Sequence, residues 1–205
     1  MKITNEFLTE LLSNLELIGY SINNIECILQ EGSSLYLDNY DDIDFKVMVK
    51  HINPNADIGR QFDVKGHKVD CTYYTFKDWA KVGEYKKIIY FITESPDMIC
   101  VYGSDKNFVR HNVVKNKKLA LKVLDNYEKC LFDYKDGYQL HGYRQMSPKR
   151  LWNFLVFYYK LKNGRNRIYS RQLQQIKLAH DLKLSVEDCK GKFHELCEML
   201  KGEQL

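Results

Sequence analysis

Apolar residues recur at three- and four-residue spacing over Phe7, Leu8, Leu11, Leu12, Leu15 and Ile18. That spacing predicts a helix with one apolar stripe, with Asn5 as its N-cap and Gly19 where a C-cap belongs. The period then shortens. Ile25–Gln30 reads as a strand, Gly32-Ser33 interrupts it, and Ser34–Leu37 predicts one helical turn. A second strand is expected from about Asp42 to Lys50, with Ile43, Phe45, Val47 and Val49 on one face and Asp42, Asp44, Lys46 and Met48 on the other. Pro54 ends it. Two short alternating runs, Arg60–Val64 and His67–Tyr74, flank Lys65-Gly66 as a hairpin would.

From Phe76 the period is helical again, with Trp79, Val82 and Tyr85 spaced by three, and Met98–Tyr102 predicts a short buried segment ending at Gly103-Ser104. Beyond it, residues 107–132 read as mostly helical, Pro148 opens another helix, and two more follow over 168–183 and 186–201. The fold class expected is α/β (α+β): a mixed β-sheet core with helices over residues 1–105, then an all-helical domain over 106–205.

Composition changes this picture little. Hydrophobic residues make up 44% and charged residues 28% of 205, the balance of a folded globular chain rather than a disordered one. No apolar run approaches the roughly 18 residues of a membrane helix. Met1-Lys2-Ile3 leads directly into the first helix without a secretory leader, so a cytoplasmic location is expected. The six cysteines are scattered with no C-x-x-C pair, which predicts reduced thiols.

Charge is more informative. From Pro148 onward there are twelve Lys or Arg against six Asp or Glu, a net of +6, which leaves residues 1–147 at −2 of the overall +4. A near-neutral first part carrying an acidic site and a basic second part suggest an anionic partner for the second.

The chemistry concentrates between the first two strands. Asp42 and Asp44 flank one isoleucine and would project from the same face, where two carboxylates repel unless cations sit between them. Oxygen-only ligation suits Mg²⁺. Each run of the later hairpin carries one further carboxylate, Asp63 and Asp70. A Gly-Ser turn after a strand, an Asp-x-Asp on the next and a lone Asp on a third suit nucleotidyl transfer. Two divalent ions held by three carboxylates would activate a hydroxyl and bind a triphosphate.

Gly32-Ser33-x8-Asp42-Ile43-Asp44, followed by Val69-Asp70-Cys71, resembles the DNA polymerase beta-type nucleotidyltransferase superfamily over about residues 5–75. The resemblance implies an enzyme that transfers a nucleoside monophosphate from an NTP such as ATP to a hydroxyl. It implies that Asp42, Asp44 and Asp70 are catalytic and hold two Mg²⁺ or Mn²⁺ ions, and that Gly32 and Ser33 contact the β- and γ-phosphates. Lys46, on the face of the acidic pair, is a further candidate for a phosphate, set against a reading as a solvated strand residue; Lys86 and Lys87 are weaker ones. Asp70 is favoured over Asp63 as third carboxylate because it sits on the longer, more apolar run.

The resemblance spans several acceptors: RNA 3′ ends, tRNA among them; hydroxyls of proteins, as in AMPylating toxin and antitoxin members; and antibiotics. Lys160, Lys162, Arg165, Arg167 and Arg171, interleaved with Tyr158, Tyr159 and Tyr169, suit an RNA backbone with exposed bases and make RNA the expected partner. A solvated helix–loop–helix gives the same pattern. Asp38, Asp41 and Asp63 would serve a cationic antibiotic, and a nucleotide-binding regulatory module without turnover is the non-enzymatic alternative.

Overall fold

The computed structural model describes residues 2–35, 40–57, 61–81, 97–131, 148–164, 168–180 and 186–202. These fall into two compact units, one of described residues up to 110 and one from 111 onward. The architecture is mixed α and β, with a five-stranded mixed sheet in the first unit.

Helix α1 (Asn5–Leu17) is capped one residue earlier than expected. Thr4 is the N-cap, and its hydroxyl accepts from the Phe7 amide at 3.2 Å, so Asn5 is the first helical residue. At the other end Gly19 has φ +104, and the amides of Gly19 and Tyr20 return to the carbonyls of Glu16 and Leu15. This paired closure needs a left-handed residue at Gly19. Phe7, Leu11, Leu15 and Ile18 are buried in one core with Ile28, Phe45, Val47, Val49 and Val69. Each such side chain contributes roughly 1.5–3 kcal/mol by leaving water.

The strands are β1 (Ile25–Glu31), β2 (Ile43–Val49), β3 (Phe62–Val64), β4 (His67–Tyr74) and β5 (Ile99–Gly103), in the order β3-β4-β2-β1-β5. All neighbours are antiparallel except β2 and β4, which run parallel. Lys65 and Gly66, both at positive φ, close the β3–β4 hairpin. Two expectations change here. Strand β2 begins at Ile43, so Asp42 precedes it; and β5 is an edge strand of the described sheet whose Ile99 is 54% exposed rather than buried. A short apolar run does not distinguish an edge strand from a central one.

Helix α2 (Phe76–Lys81) lays Trp79 against Tyr74 and Phe108, and its indole N–H donates to the Val109 carbonyl at 2.7 Å. The expected helical continuation through Val82 and Tyr85, like Lys86 and Lys87, lies outside the described residues.

The second unit contains α3 (Lys117–Leu131), α4 (Pro148–Lys162), α5 (Ser170–His180) and α6 (Val186–Gly202). Helix α3 begins about ten residues later than expected, residues 107–116 being turns and irregular chain. Phe154 to Tyr159 of α4 are all buried, as a helix surrounded on every side requires. Among the described residues no helix is long and apolar enough to cross a membrane.

Candidate active site

The sheet's second face carries the polar residues. Strand β2 turns Ile43, Phe45, Val47 and Val49 toward α1, so alternation sends Asp44, Lys46 and Met48 the other way. Register then aligns three acids. Glu31 at the end of β1 stands opposite Asp44, and Asp44 stands opposite Asp70 of β4. One row behind, Leu29, Lys46 and Thr72 are similarly aligned. The parallel pairing of β2 with β4 is what brings Asp70 beside Asp44.

Gly32 follows Glu31 directly, at φ +77. A Cβ there would collide with the Asp44 carboxylate, lying 3.0 Å from its Cγ, so glycine is required twice over: for its backbone angle and for the close approach. Ser33 opens a 3₁₀ turn (Ser33–Leu35) and is half-buried, with no side-chain hydrogen bond among the described residues. Ser34 is used internally: its hydroxyl accepts from Gln30 at 3.0 Å and donates to the Glu31 carbonyl at 3.3 Å. The remainder of the expected helical turn, and Asp38, lie outside the described residues.

Asp42, Asp44 and Asp70 are each half-buried, Asp42 on the irregular chain just before β2. Asp63 is exposed and occupied elsewhere, its Oδ1 accepting from the Gly66 amide at 2.7 Å inside the hairpin turn. Lys46 is fully buried. Its ammonium donates to Glu31 Oε1 at 2.9 Å and to Thr72 Oγ1 at 3.1 Å. It also lies 4.8 Å from the centre of the Trp79 ring and 5.1 Å from that of Tyr74. The residue read as a phosphate candidate or a solvated strand position thus directs its charge at Glu31.

Glu31 is the residue that the sequence reading passed over. Its side chain is 5% exposed, and its second oxygen, Oε2, is buried without a hydrogen-bond partner among the described residues. The signal was available: an acidic residue closing an apolar strand immediately before the Gly-Ser turn. The buried Cys71 thiol registers the crowding of acids. Burial raises its pKa most, Tyr73 opposes this by hydrogen bonding, and the charges of Asp70, Asp44 and Glu31 raise it further.

These donors suit a hard divalent ion, being all oxygen and arranged in one row, with one buried acceptor left over. Among the described residues no three acidic, His or Cys side chains converge closely enough to enclose an ion as they stand. Rotation of carboxylates that otherwise repel one another would have to complete the ligand set.

In the second unit, Lys160, Tyr158 and Tyr159 of the basic, aromatic stretch are buried within α4. Lys162 bonds Glu195 at 2.8 Å and Tyr158 at 3.0 Å, tying α4 to α6. Arg171 is exposed and Tyr169 is 39% exposed; Arg165 and Arg167 lie outside the described residues. A scan against protein-family models finds none that matches the chain, and a search of curated proteins finds no match.

Proposed function

We propose that the chain is a metal-dependent nucleotidyltransferase, moving a nucleoside monophosphate from an NTP to a hydroxyl, with a nucleotidyltransferase-like sheet as its catalytic core. The observation that carries this reading is the alignment of Asp44 with Asp70 across a parallel strand pair, with Gly32 seated on the Asp44 carboxylate. Two Mg²⁺ or Mn²⁺ ions, when bound, supply activation of the acceptor hydroxyl and charge for the triphosphate. Asp42, Asp44 and Asp70 would hold them. Ser33 and the backbone at Gly32 orient the β- and γ-phosphates, as close approach without a side chain permits. The acceptor oxygen then bonds the α-phosphorus, pyrophosphate leaves, and the hydroxyl proton passes to solvent.

RNA is the acceptor we assign. The net +6 from Pro148 onward supports an anionic partner, with Arg171 and Tyr169 as its exposed contacts. The test is incubation with each α-labelled NTP, Mg²⁺ or Mn²⁺, and total cellular RNA and protein. Label on RNA that declines steeply with added salt is expected. Label on protein reassigns the acceptor. No label in any fraction, or equal labelling by Asp44→Asn and Asp70→Asn, sinks the reaction class.

A further inference from the structure

We infer that Glu31 is a fourth carboxylate of the cation site, held through one oxygen by Lys46 while the other faces the ions. This rests on the metal-binding part of the function proposed above. Glu31, Asp44 and Asp70 occupy one row on three adjacent strands. Opposed Cβ atoms of an antiparallel pair such as Glu31 and Asp44 are about 4.5–5.5 Å apart, a span that a divalent ion bridges readily through carboxylate oxygens. Backbone geometry reinforces the closeness, because Gly32, the next residue, already lies against the Asp44 carboxylate.

The pairing of Glu31 is half complete. Oε1 receives the Lys46 ammonium at 2.9 Å, yet Oε2 is buried with no donor among the described residues. A buried carboxylate oxygen without a partner is expensive, and native proteins seldom leave one without a reason. A purely structural pair would give Glu31 a second donor or let water reach it. Lys46 stands one row back, so its bond to Oε1 holds Glu31 from that side.

Glu31→Gln tests this, because the amide oxygen still accepts from Lys46 while the charge is lost. Mn²⁺ affinity is measured without nucleotide, by the electron paramagnetic resonance of free Mn²⁺, on the full chain and on Glu31→Gln, Asp44→Asn and Asp70→Asn. Glu31→Gln is expected to weaken Mn²⁺ binding on the order of 10- to 100-fold, alongside the two aspartate variants. Wild-type affinity in Glu31→Gln with weakened binding in Asp44→Asn reduces Glu31 to the partner of Lys46 and overturns the inference, while the metal site stands. Unchanged binding in all three variants overturns both. If Glu31→Gln does not fold, Glu31→Leu/Lys46→Met removes both buried charges; weakened Mn²⁺ binding there supports the inference and full affinity overturns it.

Discussion

Breaking the buried Lys46–Glu31 pair from one side should unsettle the first unit far more than removing the pair altogether. In Lys46→Met the Glu31 carboxylate stays at 5% exposure with no counter-charge of its own, a situation that costs about 3–5 kcal/mol. The bond to Thr72 and the contact with the Trp79 ring go as well, at about 1 kcal/mol and up to about 2 kcal/mol. These terms overlap, so about 4 kcal/mol is the working figure. With a urea slope near 2 kcal/mol/M, the unfolding midpoint falls by about 2 M. Glu31→Leu should cost a similar amount, because it strands a buried ammonium. The double variant Lys46→Met/Glu31→Leu buries neither charge and should cost less than either single change, giving a coupling of at least about 3 kcal/mol. Trp79 is the reporter. The chain has two tryptophans, so in a Trp152→Phe background the fluorescence comes from the ring 4.8 Å from the ammonium. Costs that simply add, or a Lys46→Met midpoint unchanged from the parent, would refute the reasoning.

Gly32→Ala combines a positive φ, worth about 1–2 kcal/mol against any Cβ-bearing residue, with a collision on Asp44. Lower stability together with lost Mn²⁺ binding is expected in denaturation and titration, and full affinity would count against the site. Asp70→Asn should abolish transfer of label from α-labelled NTP. Asp63→Ala should leave transfer near the parent level and cost about 1 kcal/mol by removing the acceptor for the Gly66 amide; the reverse pattern would make Asp63 the third ligand. In the second unit, hydrogen bonds from Lys162 and Tyr158 hold the Glu195 carboxyl below its usual value. Its contribution is therefore full above about pH 4.3 and is lost as pH falls through the lower folded value. Thermal melts followed by circular dichroism should show this as a small acid-side loss, under about 1 kcal/mol for so exposed a pair, and Glu195→Gln should remove it. An acid limb identical in Glu195→Gln would assign the loss to other groups.

What could be read from the sequence was what local periodicity encodes. The α1 stripe and the two faces of β2 follow from spacings of three to four and of two, and Lys65-Gly66 announced its hairpin. The cap moved by one residue because Thr4 and Asn5 are both capping residues, and only geometry decides which reaches the Phe7 amide. Long-range register was not legible. Nothing local says that β4 lies parallel to β2 rather than to β1, yet that choice sets Asp70 beside Asp44. Burial of charge was equally hidden. Lys46 looked like a half-exposed strand position because alternation reveals that a second face exists, not that Trp79 covers it. Its partner Glu31 is fifteen residues away in sequence. The same blindness applies to Lys160, Tyr158 and Tyr159, whose interleaving suggested a surface and which are buried in α4.

The two faces of β2 also explain why so unfavourable a row of acids can be held in place. A slip of one residue against β1 or β4 would exchange Ile43, Phe45 and Val47 with Asp44 and Lys46, putting charges under α1. Burial of Phe45 alone resists this, since losing such a ring from a core costs about 3–5 kcal/mol. The apolar face therefore fixes the register, and the register in turn fixes the spacing of Glu31, Asp44 and Asp70. Lys46 offsets part of their repulsion, and Gly32, having no Cβ, leaves the space that the Asp44 carboxylate takes. The residues that fix the register and those that form the charged row thereby alternate along one strand. Substitutions at Ile43, Phe45 and Val47 should consequently lower stability without altering which acids face one another, for as long as the sheet remains folded.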